Sequence, residues 1–357
     1  MTGMRPVITA WSAISPFGFG ADAFRAGLRG GVPAPASAAG PAPDAPARLV
    51  PDFDARTVLG KKGTRSMDRV TALSVAAVGE LADRPDAPGP PAEGPAPGLV
   101  LGTTGSVQST MDFTRSSLDG DRPFYVDPAR FPNTVMNCAA GQCAIWHGLK
   151  GPNATIAGGR AAGLLALNYA RRLQVGGRAG TLFCGGAEEY SDARARLHHH
   201  GQGGPDGTVL GEGAAVLRLE PPGSAAAERD GLAEIVALEF GVYEDAGEIP
   251  ATLLRCLRRA LERAEARPAD MALVAPGAAA GPEQAALSEL FGHRAPTEVD
   301  CTGLIGDPAA AAAAFQVLAV LVRAEDDPAL AGRLALVTAV DHDGTLGCAL
   351  LRPYPAR

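Results

Sequence analysis

Short apolar segments with the length of β-strands alternate with longer segments of helical spacing along most of the chain, and this alternation limits the fold more than any other feature. The first half is predicted to contain a helix at 68–81, a strand at 98–102, helices near 108–118 and 133–147, a strand at 153–157, a helix at 161–174, and strands at 180–184 and 214–219. Alternation of this kind is typical of sheets covered by layers of helices. We therefore predict an α/β fold with buried sheets.

The second half repeats the pattern. It is predicted to contain a strand at 233–240, a helix at 250–266, a strand at 271–275, a helix at 281–291, a strand at 297–301, a helix at 308–324, and strands at 334–340 and 346–352. The segments NATIAGGRAAGLLALNYA and TEVDCTGLIGDPAAAAAAFQVLAV share a layout of strand, glycine-containing turn and apolar helix. This internal similarity is weak evidence by itself, but it is what a duplicated α/β unit would produce.

Proline, alanine and glycine concentrate in three stretches, at 33–47, 84–98 and 221–228. Proline removes a backbone donor and clashes in a helix, so we expect the first two stretches to be surface connections without regular structure. The third is expected to separate the halves. The predicted organisation is an N-terminal half at 1–228 and a C-terminal half at 229–357.

Charge and composition exclude several classes of function. The net charge is −7 and no block of Lys or Arg occurs, which argues against a nucleic-acid partner. The N-terminus lacks the pattern of a signal peptide, and no apolar run reaches the roughly 18 residues that a membrane helix needs. We therefore expect a cytoplasmic protein with no membrane partner.

No cofactor or metal site is indicated. The six cysteines contain no CxxC pair, and the glycine-rich segments match no nucleotide-binding pattern. The run His198, His199 and His200 cannot direct all three side chains at one ion, because consecutive side chains diverge. Cys138, Cys143 and Cys184 lie in apolar runs and are expected to be inert core thiols.

Six segments, in this order and spacing, resemble the β-ketoacyl synthases of the thiolase superfamily: VITAWSAISPFG, GLVLGTTG, FPNTVMNCAAGQCAIWHGLKGPNATI, CGGAEEYSD, PDGTVLGEGAAVLRLE and DHDGTLGCALLR. The resemblance implies a thiolase-like five-layer α/β/α/β/α fold built from two duplicated halves. It also implies a dimer formed through the strand that precedes the active-site turn. In this chain the corresponding residues are Asn153, Ala154, Thr155, Ile156 and Ala157.

The family's nucleophile is a cysteine at the start of a buried helix, where the helix N-terminus favours the thiolate. The segment GGRAAG places Arg160 at that position. A guanidinium stays protonated and cannot be acylated. A cation at the positive end of a helix is also unfavourable by a few tenths to about 1 kcal/mol.

The family's two histidines are also replaced. The run with the first histidine corresponds to PGAAA, which places Pro276 there. The Lys-x-x-x-Gly-His run corresponds to TGLIGD, so Thr302 replaces the lysine and Asp307 the second histidine. The four exchanges at Arg160, Pro276, Thr302 and Asp307 predict a subunit that is not itself a condensing enzyme.

An emptied site on this scaffold is similar to that of the chain-length factors of type II polyketide ketosynthases, although those usually carry glutamine where this chain has Arg160. The resemblance implies a heterodimer with an active ketosynthase α subunit, which also provides the main contact with acyl carrier protein. It implies a role in shaping the tunnel for the growing acyl chain, in a branch that makes reduced or polyene chains. The implied tunnel residues are Met111, Phe113, Thr114, Leu118, Phe131 and Met136.

Alternatives remain for these residues. Arg160 is expected to form a buried ion pair, with Asp307 as the candidate partner. Alternatively, it binds a malonyl carboxylate in a decarboxylase or acyltransferase, since Arg is well suited to carboxylates. A third hypothesis is a catalytically dead homodimeric scaffold. Met111 and Phe113 could be ordinary core residues, and Glu212 is expected to belong to the structural framework.

Overall fold

The computed structural model describes residues 5–38, 46–82, 95–119, 121–122, 125–201, 207–278 and 281–355. The strands are β1 (Val7–Ser15), β2 (Gly18–Phe19), β3 (Ser37–Ala38), β4 (Pro46–Arg48), β5 (Gly98–Gly102), β6 (Asn153–Ile156), β7 (Leu182–Glu188), β8 (Leu210–Gly211), β9 (Gly213–Glu220), β10 (Ala233–Val242), β11 (Met271–Ala275), β12 (Thr297–Glu298), β13 (Leu334–Val340) and β14 (Thr345–Pro353). The helices are α1 (Gly20–Gly30), α2 (Ala55–Leu59), α3 (Arg69–Ala82), α4 (Val107–Leu118), α5 (Cys138–His147), α6 (Ala162–Val175), α7 (Asp192–Gly201), α8 (Ala225–Asp230), α9 (Ile249–Ala264), α10 (Pro282–Phe291), α11 (Cys301–Ile305) and α12 (Ala312–Asp326).

The two halves of the chain build their strands in the same order. The first half runs β6-β5-β7-β9-β1 and the second runs β12-β11-β13-β14-β10. In each half the first three strands of that order are parallel and the last two are antiparallel to their neighbours. A short pairing of β1 with β10 joins the two arrays into one large sheet. The matching topology is what a duplicated α/β unit produces.

Two helices, α6 and α12, form the layer between the strand arrays. Twelve of the 15 residues of α12 are buried, and its sequence is almost continuously apolar, as a helix covered on all sides requires. The two helices approach closely at Gly163, where an added Cβ would lie 2.8 Å from the backbone nitrogen of Ala314. Glycine is therefore needed for this contact in the central layer.

Further helices cover the outer faces. α3 and α5 contribute buried residues such as Leu73 and Cys143 to one core cluster with the first array. α9 packs Leu253 and Leu257, one helical turn apart, against the second array and exposes its arginines on the opposite side. The resulting order of layers confirms the predicted thiolase-like five-layer α/β/α/β/α fold.

Several local predictions were wrong. The predicted helix at 133–147 is a 3-10 turn at Phe131–Thr134 followed by α5, and the two are separated at Val135, whose backbone is extended (φ −107, ψ 134). The predicted strand at 297–301 ends after two residues, since the Asp300 carboxylate caps the start of α11. The stretch 221–228 contains most of α8, capped by Ser224.

The Pro-rich stretch 33–47 contains β3 and the first residues of β4, contrary to the prediction that it lacks strands. Proline is compatible with these strands because β3 contains none and Pro46 is the first residue of β4. Residues 39–45 of this stretch and residues 84–94 of the stretch 84–98 lie outside the described residues. Within the part of the chain described above, no helix is long and apolar enough to cross a membrane.

Candidate functional site

The turn between β6 and α6 carries the candidate site. Gly159 has φ +47, and a Cβ at this residue would overlap the Asp341 carboxylate, with 1.9 Å to Oδ1. Glycine is therefore required by both conformation and space. The backbone N–H of the next residue, Arg160, donates to Asp341 Oδ1 at 2.9 Å. The turn thus holds the backbone of Arg160 just before a buried helix, as predicted for the position of the lost nucleophile.

The guanidinium of Arg160 forms the ion pair with Asp307 that the sequence suggested. Arg160 Nε lies 2.9 Å from Asp307 Oδ2, and Nη2 donates to the same oxygen. The side chains are 17% and 7% exposed. Asp307 Oδ1 accepts a further hydrogen bond from the backbone N–H of Ala309 at 2.9 Å.

Both members of this pair are charged. Burial opposes the ionisation of Arg160, but the charge of Asp307, its hydrogen bond and the nearby carboxylates together outweigh burial, so the pKa of Arg160 is raised above its ordinary value. Burial likewise opposes the ionisation of Asp307, yet Arg160 and its hydrogen bonds hold the pKa of Asp307 below its ordinary value. The position of the lost nucleophile therefore holds a cation whose charge is already neutralised by a protein carboxylate.

The other two exchanged positions lie on neighbouring elements. Pro276 directly follows β11, and Thr302 lies in α11, where its carbonyl accepts the backbone N–H of Gly306 at 2.8 Å. Proline supplies no imidazole at the predicted position of the first histidine, and threonine supplies no ammonium group at the predicted position of the lysine. Among the four positions, the structure joins only Arg160 and Asp307 through a hydrogen bond between described side chains.

A buried carboxylate next to Pro276 escaped the sequence analysis. Glu283 accepts hydrogen bonds from the backbone N–H of Gly277 at 2.9 Å and from the hydroxyl of Thr338. Burial raises the pKa of Glu283, whereas Arg160 and the hydrogen bonds favour its ionised form. The sequence placed Glu283 in the first turn of a predicted helix, where an exposed acidic residue is common, so no signal distinguished it.

The implied tunnel residues lie together on one surface. Phe113 and Phe131 make an edge contact with ring centroids 6.0 Å apart. Met111, Leu118, Phe131 and Met136 are exposed by 44%, 69%, 54% and 40%. We call Met111, Phe113, Leu118, Phe131 and Met136 the α4 surface. The alternative that Met111 is an ordinary core residue is wrong in this chain.

Thr114 also lies on α4, and its side chain forms a hydrogen bond within the helix. Its hydroxyl donates to the carbonyl of Thr110 at 2.8 Å, and the residue is exposed. No residue of α4 is buried, although the helix carries several large apolar side chains. Met111 and Leu118 are seven residues apart, share one side of the helix and are exposed, so they are candidates for contact with a partner.

The N-terminal turn of α4 is attached to β7 by two consecutive carboxylates. Thr104 Oγ1 donates to Glu188 Oε1 at 2.6 Å, and Ser106 Oγ donates to Glu189 Oε1 at 2.7 Å. Ser106 is also the N-cap of α4, since its Oγ accepts the N–H of Ser109 at 3.1 Å. The sequence analysis missed both glutamates, although two acidic residues directly after an apolar strand are an unusual pair that could have identified them.

The strand β6 lies at the end of the large sheet. The ladder with β5 uses the backbone groups of Ala154 and Ile156, because Leu99 pairs opposite Asn153 and Thr103 N–H bonds to the carbonyl of Ile156. The backbone groups of Asn153 and Thr155 therefore point away from the sheet. Ala157 follows the strand and is exposed.

The two edge strands of this sheet differ in how well they are protected against pairing with a further strand. At the far end, β12 has only two residues and carries Glu298, which are features that discourage strand addition. The four residues of β6 carry no charge. The buried hydroxyl of Thr155 has no hydrogen-bond partner in the part of the chain described.

The remaining candidate residues, Glu212 and the cysteines, have surroundings that fit a role in the structural framework. Glu212 is fully buried, receives the Arg69 guanidinium and accepts the backbone N–H of Val50 at 2.9 Å, which agrees with a framework role. Burial raises the pKa of Cys143 and of Cys184, so both are unreactive thiols. Cys138 is partly exposed, and burial is also the main cause of its raised pKa. No cluster of three or more metal-ligating residues occurs in the described ranges.

A duplicated five-layer α/β fold, with its site at the start of a central helix, defines a thiolase-like ketosynthase scaffold. The profile of the β-ketoacyl synthase N-terminal domain matches residues 6–225, more than half of the chain. The chain therefore belongs to the β-ketoacyl synthase family.

Solved structures agree with this assignment. The ishigamide ketosynthase/chain length factor superimposes with a TM-score of 0.90 at 42% identity, covering 98% of this chain and 99% of that one. A type II acyl carrier protein in complex with its ketosynthase, AntDE:AntF, gives 0.78 at 18% identity, with coverages of 98% and 99%, and supports the fold alone. The predicted resemblance to ketosynthase/chain-length-factor proteins is confirmed.

Curated relatives are 3-oxoacyl-[acyl-carrier-protein] synthases 2. The Vibrio harveyi protein is 30% identical over 219 residues, which cover 56% of this chain and 52% of that protein. The Rhizobium meliloti protein is 27% identical over 306 residues, with coverages of 75% and 72%. The chain thus matches about half the length of the first of these relatives.

Proposed function

We propose that the chain is a non-catalytic chain-length-factor subunit that forms a heterodimer with an active β-ketoacyl-ACP synthase and shapes the acyl-chain tunnel in polyketide biosynthesis, in a branch that makes reduced or polyene chains. One observation carries the proposal. The turn that presents the nucleophile on this scaffold presents Arg160 instead, and Asp307 neutralises it. The halves 1–228 and 229–357 are proposed to act as one scaffold around this emptied site.

The α4 surface supports a tunnel role. A growing acyl chain is apolar, and each methylene removed from water contributes about 0.8 kcal/mol. Met111 and Phe131 can provide such contacts and can also stop the chain where their side chains block it. They are exposed in the single chain, so a partner is required to close the tunnel around them.

The strand β6 supports the choice of partner surface. It offers unpaired, uncharged backbone at residues Asn153 and Thr155. A second subunit that adds its own strand here would extend the sheet and cover the nearby helices. The net charge of −7 argues that an acidic acyl carrier protein docks mainly on the partner.

The alternative of a malonyl decarboxylase or acyltransferase is weakened by the ion pair. A malonyl carboxylate would have to displace Asp307 from Arg160, and Asp307 would then remain buried without its cation. A homodimeric scaffold would use the same strand and differs in the identity of the partner. Only a binding experiment distinguishes it from the heterodimer.

The test is co-expression with an active type II ketosynthase, followed by sedimentation and product analysis with carrier protein. We expect a stable heterodimer whose product length changes with Met111→Ala. Val242→Ala is the matched control, because Val242 is an exposed apolar residue outside the α4 surface. A folded monomer, a homodimer that ignores the ketosynthase, or turnover of malonyl carrier protein by the isolated chain would overturn the proposal.

A further inference from the structure

In the described residues, the side-chain hydrogen bonds that tie α4 to the sheet and to α7 all lie at its N-terminal end, and further along the helix Phe113 contacts the ring of Phe131. None of its 12 residues is buried, and the hydrogen bonds that join it to β7 and to α7 lie at residues 104–108. The last of these is the bond from the backbone N–H of Ala193 to Gln108 Oε1 at 3.3 Å. The groups that hold this first turn therefore contribute to the positions of the side chains in the α4 surface.

Glu189 connects this turn to a buried helix. Its Oε1 accepts the hydroxyl of Ser106 at 2.7 Å, and its Oε2 accepts the backbone N–H of Val70 at 3.1 Å. Val70 lies in the first turn of α3, a helix with ten of its 14 residues buried. One carboxylate, itself 2% exposed, thus joins the exposed α4 to a helix that cannot move without disturbing the core.

The neighbouring Glu188 does not duplicate this connection. It is fully buried, accepts the hydroxyl of Thr104 and lies 3.4 Å from the backbone N–H of Ala310, so it ties the turn before α4 to the region that precedes α12. Glu189 alone bonds the capping residue of α4. The two glutamates therefore hold different parts of the same turn.

The buried position of Glu189 disfavours its ionised form. Burial is the largest effect and raises the pKa of Glu189 to about 7; the Ser106 hydroxyl opposes this rise, and the nearby Asp68 adds to it. A glutamine could replace only one of the two acceptors. The glutamine oxygen could still accept the Val70 N–H, but the NH2 group would have to donate to Ser106 Oγ, which already accepts the Ser109 N–H, so the charge-assisted bond from the Ser106 hydroxyl would be lost.

We propose that Glu189 is the positioning residue that sets where α4 lies relative to β7 and α3. Through this position it sets the length of acyl chain that the tunnel admits. The inference rests on the proposed chain-length function. One residue of helix rise is about 1.5 Å, close to a single carbon–carbon bond. A small displacement of α4 is therefore enough to change which chain length fits beneath Met111 and Phe113.

The experiment compares Glu189→Gln, Ser106→Ala and Glu220→Gln in the reconstituted heterodimer. Glu220 is the matched control, because it is 4% exposed and accepts the Thr181 hydroxyl at 3.0 Å, and burial raises its pKa too. It lies at the end of β9, away from α4. The readouts are the ratio of two adjacent product lengths, total turnover and the midpoint of thermal unfolding.

We expect Glu189→Gln and Ser106→Ala to change the length ratio by about threefold, below the roughly tenfold or more that a rigid pocket gives for one methylene. Glu220→Gln should lower the unfolding midpoint similarly and leave the ratio unchanged. An unchanged ratio in Glu189→Gln, or an equal change in Glu220→Gln, overturns the inference. If Met111→Ala alters product length while Glu189→Gln does not, only this inference fails; if neither alters it, the tunnel role of α4 fails as well.

Discussion

Asp307 binds Arg160 at the turn between β6 and α6, where the sequence alignment predicts the family's cysteine. The two residues are 147 positions apart in the chain and lie on the turns that precede the two central helices. One comes from each half of the duplicated fold. The ion pair therefore joins the two halves of the fold at this turn.

The first prediction concerns the stability of this pair. Arg160→Met should destabilise the protein by about 3 kcal/mol, because it leaves the Asp307 carboxylate buried without its cation. The double variant Arg160→Met/Asp307→Asn should recover most of that loss, since the asparagine oxygen can still accept the Ala309 N–H. Urea unfolding of the three proteins measures both effects.

An exposed ion pair provides the control. Arg29 and Asp326 form a pair whose side chains are 49% and 27% exposed. Arg29→Met should cost much less stability than Arg160→Met, because solvent screens such pairs. Equal losses in Arg29→Met and Arg160→Met would contradict a special contribution of the buried pair.

The second prediction is that Arg160→Cys does not restore condensation. The new thiol would lie at the start of α6, where the helix favours a thiolate, and could be acylated. Pro276 and Asp307 supply no imidazole to stabilise the thioester oxygen or to promote decarboxylation. Mass spectrometry of the isolated variant with acyl and malonyl carrier proteins should detect no condensed product, and a product above background would show that other groups replace the histidines.

The sequence predicted the layers of the fold well, because strands such as 271–275 and 334–340 are continuous apolar runs bounded by turns. It failed where one side chain decides a local boundary, as at Asp300, whose cap starts a helix inside a predicted strand. The ion pair of Arg160 was predicted from the family alignment. Glu189 was missed, since its partners Ser106 and Val70 are 83 and 119 positions distant and no local pattern records such contacts.

The third prediction tests β6 as the partner strand. Thr155→Pro removes a backbone N–H that points away from β5, and proline is tolerated on such an edge. The single chain should fold, while its affinity for the ketosynthase falls by about tenfold or more, which corresponds to the loss of one or two backbone hydrogen bonds. Sedimentation equilibrium with the partner gives the affinity.

Ala154→Pro is the complementary variant. Its N–H lies on the β5 side of the ladder, so this proline should destabilise the single chain as well. If Thr155→Pro binds the partner as tightly as the unchanged chain, the subunits do not pair through this strand.

The fourth prediction concerns pH. The pKa of Glu189 is raised to about 7, mainly by burial, from an ordinary value of 4.5. Between these values the folded protein keeps a proton that the unfolded chain has released, so the stabilising contribution is present at low pH and is lost as the pH rises through 7. Between pH 5 and pH 8 this group should lower the free energy of unfolding by roughly 2 to 3 kcal/mol.

Glu189→Gln cannot titrate and isolates this contribution from that of other buried carboxylates. Burial also raises the pKa values of Asp68 and Glu188, so the unchanged chain and the variant should both lose stability as the pH rises. The loss should be steeper in the unchanged chain by the amount assigned to Glu189. Urea unfolding of both proteins at half-unit intervals from pH 5 to pH 8 measures the difference, and parallel curves would mean that Glu189 is already ionised across this range.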